Sequence, residues 1–158
     1  MLNSLRVFFF LLILNSLSFG CGLCTVNSPL TMVKVVVDSN KELIKNVKVT
    51  LVLTKEFTDS LFQVYDKDAN NILDAKELIE VEKIFLEYVE PKNYFLKVFY
   101  EKIPKFKSEE KFNVSGFKSY IDNKTLHFTY LATLDLKLYS DNFLKLEFVD
   151  KERFFYFH

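Results

Sequence analysis

The run Asp66-Lys67-Asp68-Ala69-Asn70-Asn71-Ile72-Leu73-Asp74-Ala75-Lys76-Glu77 sets oxygen-bearing side chains at the first, third, fifth and ninth places of a twelve-residue loop. Those four are Asp66, Asp68, Asn70 and Asp74. Glu77 closes the loop at the twelfth place, and the main-chain carbonyl of Ile72 falls at the seventh. Calcium takes about six to eight hard oxygen ligands, and this spacing wraps them round one point. The pattern is that of an EF-hand loop, with Asn71 where glycine is usual. The chain turns there with positive φ, and Asn tolerates that region better than other residues with a Cβ. One loop with an imperfect turn implies a calcium affinity of about 10⁻⁴–10⁻³ M.

A metal-free reading competes. Asp74-x-x-Glu77 is also a capping box, with Asp74 as N-cap and Glu77 at the third helical position. Asp and Asn are ordinary turn residues besides. That reading accounts for Asp74 and Glu77, but not for the spacing of Asp68 and Asn70.

The cysteines form a second constellation, Cys21-Gly22-Leu23-Cys24. In an exported chain a local disulfide is the simplest fate. Two thiolates also suit Cu(I) or Zn(II), although two ligands leave a tetrahedral site incomplete. Lipid attachment at Cys21 is a third fate, with bulky Phe19 where a small residue is expected. A thiol–disulfide oxidoreductase motif belongs at a helix start in a βαβ unit, whereas this one precedes an extended strand.

The residues before the cysteines read as a secretory signal over 1–20. Arg6 is the basic flank, Val7 to Leu14 the apolar core, and Ser18-Phe19-Gly20 the cleavage site. The unbroken apolar run is too short to span a bilayer. The expected location is periplasmic or secreted, with a lipid anchor at Cys21 or a retained N-terminal anchor as alternatives. Residues 21–31 then form a cysteine-containing lead, and 32–158 a single domain carrying the loop at 66–77.

Lys and Arg total 21, and so do Asp and Glu. That balance argues against nucleic acid as a partner, and the interspersed charges form no polybasic membrane patch. Eighteen Phe and eight Tyr against three Gly and three Pro describe a packed chain.

The elements that must position the loop follow from periodicity. Met32–Val37 and Val47–Leu53 read as paired strands joined by a turn at Asp38–Lys41. A helix is expected over Lys55–Tyr65, capped by Thr54, with Phe57, Leu61 and Val64 facing inward. A second runs from Ala75 to Val89, with Leu78, Val81, Phe85 and Tyr88 on one stripe, and Pro91 bars its continuation. Strands are expected at Tyr94–Tyr100, Phe112–Tyr120, Leu126–Leu138, Phe143–Phe148 and Arg153–Phe157. The fold class is α+β: a mostly antiparallel sheet with one helix-loop-helix inserted after the second strand. The apolar strand Arg153–Phe157 would be sticky at an open edge. It is either buried in the sheet or marks a reading frame cut short.

The order of these parts resembles the periplasmic domain-of-unknown-function 1007 family. The resemblance covers the strand pair, the Phe57-Thr58-Asp59-Ser60-Leu61 helix, Asp66 to Asn71, the exiting helix and Asn93-Tyr94-Phe95. It resumes at Leu144-Lys145-Leu146-Glu147-Phe148-Val149-Asp150. Family members typically carry a His-Pro-His type segment after the signal, where this chain has Cys21 and Cys24, and they usually run on past the terminal strand. The resemblance implies a secreted accessory protein, often encoded beside nickel or cobalt transporters, so a membrane metal transporter is the partner it suggests. It brings no catalytic residues.

Nothing in the chain specifies catalysis. There is no Trp, no Gly-rich phosphate loop, no nucleophile elbow and no zincin motif. The two histidines are His127, which reads as a solvent-face strand residue, and His158. The expectation is a non-enzymatic accessory protein with a calcium loop, and with Zn²⁺ or Cu⁺ at the cysteine pair as a further cofactor. The alternative is an interaction module of the envelope in which calcium only rigidifies the helix pair.

Overall fold

The computed structural model describes residues 30–102 and 107–158. The expected leader and the pair Cys21 and Cys24 lie outside the described residues. The chain is α+β, with two helices against mostly antiparallel strands.

β1 (Leu30–Ser39) and β2 (Leu43–Leu53) form the expected hairpin. Asn40 closes it, its side-chain oxygen accepting the N–H groups of Glu42 and Leu43 at 2.8 Å each. Val47, Val49, Leu51 and Leu53 alternate inward along β2 and are buried. Burying one face in this way fixes the register, because a one-residue slip would turn all four outward.

α1 (Lys55–Tyr65) and α2 (Ala75–Val89) have the expected bounds. Thr54 caps α1 by accepting the Phe57 N–H, and Asp74 caps α2 by accepting the N–H groups of Lys76 and Glu77. Their inward faces differ from the simple stripes. Val64 is 48% exposed, and Thr58 and Tyr65 are buried beside Phe57 and Leu61. On α2 the buried positions are Glu77, Val81, Phe85 and Val89, with Leu78 and Tyr88 only half-covered.

A 3₁₀ segment, Glu90–Phe95, follows with Pro91 in its first turn. The strand expected from Tyr94 begins only at Leu96, because Asn93, Tyr94 and Phe95 all hold positive φ. Tertiary bonds hold that turn: Tyr130 donates its hydroxyl to the Tyr94 carbonyl at 3.0 Å, and the Val149 N–H bonds the Phe95 carbonyl at 2.9 Å.

The remaining strands are β3 (Leu96–Glu101), β4 (Glu109–Glu110), β5 (Asn113–Asp122), β6 (Thr125–Lys137), β7 (Phe143–Phe148) and β8 (Tyr156–Phe157). They divide into two sheets rather than one. The larger runs β5-β6-β2-β1-β8, and the smaller runs β4-β3-β7. β8 lies parallel to the start of β1, so the larger sheet is mixed. It is also shorter than expected, because residues 150–155 form a turn that drives Phe155 into the core. The last strand pairs on one side with β1 and is itself the edge of the larger sheet. Phe155 before it is buried, while Tyr156 is exposed.

One core joins both helices to both sheets. Phe85 of α2 stacks on Phe128 of β6, with ring centroids 3.7 Å apart and planes 4° from parallel. Phe155 packs among Phe57, Phe85 and Phe95. Thr58, fully buried, accepts the Leu126 N–H at 3.0 Å and ties α1 to β6. The helix-loop-helix is therefore anchored to the sheet at both ends of the loop. Among the described residues, no helix is long and apolar enough to cross a membrane.

Candidate metal centre

The loop between α1 and α2 turns twice through the left-handed region. Asn71 has φ of 61°, as its place in the loop requires, and Ala69 has φ of 56°. The second turn was not foreseen from the sequence, because alanine gives no signal for it. It costs Ala69 more than Asn71, because alanine has no side-chain amide to bond locally in compensation.

These turns aim backbone N–H groups at the carboxylates. Asp66 accepts from Asn71 at 2.7 Å through one oxygen and from Asn70 at 3.1 Å through the other. Asp68 accepts the Asn70 N–H at 3.2 Å and its side-chain amide at 2.8 Å. The Asn70 oxygen accepts the Ile72 N–H at 2.7 Å. The Glu77 carboxylate bridges the loop, accepting Lys67 N–H at 2.7 Å and Asp74 N–H at 2.9 Å.

Asp66, Asp68 and Glu77 each place an oxygen so that all three lie within 4.8 Å of one another. They are the only such group among the described residues. Calcium sits about 2.3–2.6 Å from its oxygens, so one ion fits between ligands at that spacing. Glu77 is nearly buried, while Asp68 is exposed. The set is all oxygen with no nitrogen or sulfur donor, which suits a hard cation.

Asp74 lies outside that group. Its oxygen serves as the α2 cap, and the Glu77 N–H, with that of Lys76, holds its carboxyl below the ordinary carboxylate value. The capping box is complete, so that reading and the metal reading share Asp74 and Glu77. Ile72 has an exposed side chain, and Asn70 spends its oxygen on the Ile72 amide. Lys67 turns its ammonium to Glu80, whose hydrogen bond and charge raise the lysine pKa, and the Glu77 carboxylate adds a smaller push in the same direction.

An open hollow of about 840 Å³ borders the loop. Phe62, Leu73, Leu78 and Ile121 supply its apolar surface, and Asp66 and Asn71 lie on its rim.

His127 is not the solvent-face residue its alternation suggests. It projects from β6 on the side away from Phe128, yet it is only 5% exposed. Tyr120 stacks over it at 4.8 Å, and its Nε2 meets the Thr125 hydroxyl at 2.9 Å. Its buried Nδ1 has no hydrogen-bond partner among the described residues. Burial lowers its pKa.

No family model, curated protein or solved structure matches the chain. The likeness to the periplasmic family therefore rests on the order of parts in the sequence.

Proposed function

We propose that this chain is a non-enzymatic, exported accessory protein that binds one calcium ion in the loop Asp66–Glu77. The convergence of Asp66, Asp68 and Glu77 within 4.8 Å carries the reading. Like charges repel at that distance, and a divalent cation removes the repulsion. Asp66, Asp68 and Glu77 would ligate through carboxylates, the Ile72 carbonyl would complete the seventh place, and Asp74 would act through water. Asn70 would turn its side-chain oxygen from the Ile72 amide to the ion.

Calorimetric titration of calcium into the chelator-treated protein tests this. A single site with Kd of about 10⁻⁴–10⁻³ M is the expected result. No heat with wild type, or equal heat with Glu77→Gln, overturns it.

The link to metal transport rests on the family resemblance and on Cys21 and Cys24. As a soft-metal grip, the reduced pair would take Zn²⁺ or Cu⁺, and two chains would together supply four thiolates. Metal titration of the reduced protein against a Cys21→Ser/Cys24→Ser variant separates that grip from a plain disulfide.

The second reading is an interaction module of the envelope whose helix pair calcium only rigidifies. The apolar hollow beside the loop favours it. Reduced protein that binds calcium but no soft metal would leave this reading standing.

A further inference from the structure

The larger sheet has an open side. β8 covers the outer edge of β1 only at its start, pairing Leu30 with Tyr156 and Thr31 with Phe157. The His158 N–H bonds the Thr31 carbonyl at 2.9 Å, and the Val33 N–H bonds the His158 carbonyl at 3.0 Å. Among the described residues nothing pairs with that edge from Lys34 to Asp38. Successive residues of a strand turn their N–H and C=O groups to opposite edges. Thr31 and Val33 face outward, so Val35 and Val37 do too, while Lys34, Val36 and Asp38 spend theirs on β2.

The open stretch reads Lys34-Val35-Val36-Val37-Asp38. A long edge with exposed valines is a template for another strand. Val36 is 63% exposed, and Val35 and Val37 are exposed as well. The edge carries one cation and one anion, placed symmetrically about Val36. Native edges resist pairing through charged side chains, Pro, inward charges or a bulge. This stretch has no Pro and no bulge before the irregularity at Asp38/Ser39, and its two charges, Lys34 and Asp38, are opposite in sign and flank an uncharged Val35–Val37.

We infer that this edge pairs antiparallel with the same edge of a second copy, about a two-fold axis at Val36. In that register Val35 lies opposite Val37 of the second copy, and Val37 opposite its Val35. The outward N–H and C=O groups of both residues then meet in hydrogen-bonded pairs. Val36 meets its own copy in the closer, non-hydrogen-bonded pair. On the same face Lys34 lies opposite Asp38 of the second copy, and Asp38 opposite its Lys34. Sliding the copy by one hydrogen-bonding repeat sets a charge against Val36 and loses both ion pairs, so the charges select the register. A two-fold contact needs this self-complementarity. The Asn40 turn folds back toward β2, away from the shared edge. The product is one continuous sheet, β5-β6-β2-β1 joined to β1-β2-β6-β5 of the copy.

Sedimentation equilibrium of the full chain at several concentrations tests the pairing. Wild type should show a monomer–dimer equilibrium. Lys34→Asp and Asp38→Lys each set like charges face to face, and each should weaken the dimer at least about tenfold. Mixing the two variants should restore association as a heterodimer, because a copy with acids at both positions then meets a copy with lysines at both. Val36→Lys, at an exposed position, should also weaken the dimer while leaving the melting curve near wild type. A wild type that stays monomeric overturns the inference. So does association that ignores the charge reversals, or a mixture no stronger than its parts.

Discussion

The Asp66 carboxylate accepts the Asn71 N–H at 2.7 Å, closing the loop across its left-handed turn. That bond fixes both the backbone at Asn71 and the direction of the carboxylate. Relaxing the turn should therefore tighten calcium binding without moving the ligands. Asn71→Gly relieves little strain, since Asn tolerates positive φ. Ala69→Gly relieves more, of order 1 kcal/mol, less the extra freedom glycine gains in the unfolded chain. Calorimetry should rank calcium affinity Ala69→Gly above Asn71→Gly above wild type. An unchanged affinity in both variants would mean that the turn is not strained.

Calcium should raise the melting temperature. A ligand that binds only the native state stabilises it by RT ln(1 + [L]/Kd), about 2.7 kcal/mol at a hundredfold excess over Kd. Glu77→Gln should abolish the rise. Glutamine keeps only one of the two backbone bonds that the Glu77 carboxylate accepts from Lys67 and Asp74 and turns an NH₂ group to the other donor, so the calcium-free variant should itself melt somewhat below wild type. Calorimetric scans with calcium and with chelator measure both effects.

The parts of the fold legible in sequence were those set by local chemistry. Thr54 and Asp74 announce their helices, and β2 shows its buried face by alternation. The turn between the helices was legible from its recurring Asp and Asn residues, and the structure brings three of the carboxylates singled out there, Asp66, Asp68 and Glu77, within 4.8 Å of one another. What was not legible depended on distant partners. Tyr94 and Phe95 have strand-forming side chains, yet bonds from Tyr130 and Val149 hold them left-handed. His127 sits on the outer face as its period demands, and only the neighbouring strand brings Tyr120 over it. Ala69 gave no hint of its turn. The parallel seat of β8 beside β1 depends on the turn at 150–155, which carries the chain over from β7 of the smaller sheet.

Acid should destabilise the protein partly through His127. Its folded pKa lies below the ordinary value of about 6.5 because burial disfavours the charged ring. Between those two values the unfolded chain binds the extra proton, so stability rises with pH there. The stability is full above about 6.5 and is lost as pH falls toward the folded value. His127→Gln should flatten that part of the profile. Urea unfolding between about pH 5 and pH 7.5 measures it, and parallel profiles for the two proteins would exclude His127 as the source.

Asp150 should prove the most sensitive polar residue of the fold. It is nearly buried, and its oxygens accept the N–H groups of Glu152 at 3.1 Å and of Phe154 and Phe155 at 3.0 Å each. The Tyr88 hydroxyl also reaches it at 3.3 Å, and burial together with the nearby carboxylates of Asp150 and Glu152 pushes that phenol's pKa up. Every backbone contact is a donor aimed at an acceptor. Asp150→Ala strands three amides and frees the turn that seats Phe155, at a cost of about 3 kcal/mol or more. Asp150→Asn keeps the shape but must point an NH₂ group at backbone donors on one side, so it should lose stability as well, by less. Urea melts measure the sizes. Hydrogen exchange locates the damage: the Val33 amide, bonded to His158 beside β8, should lose protection before the amides between β2 and β6 do. Simultaneous loss at all these sites would mean that β8 unfolds only with the whole sheet.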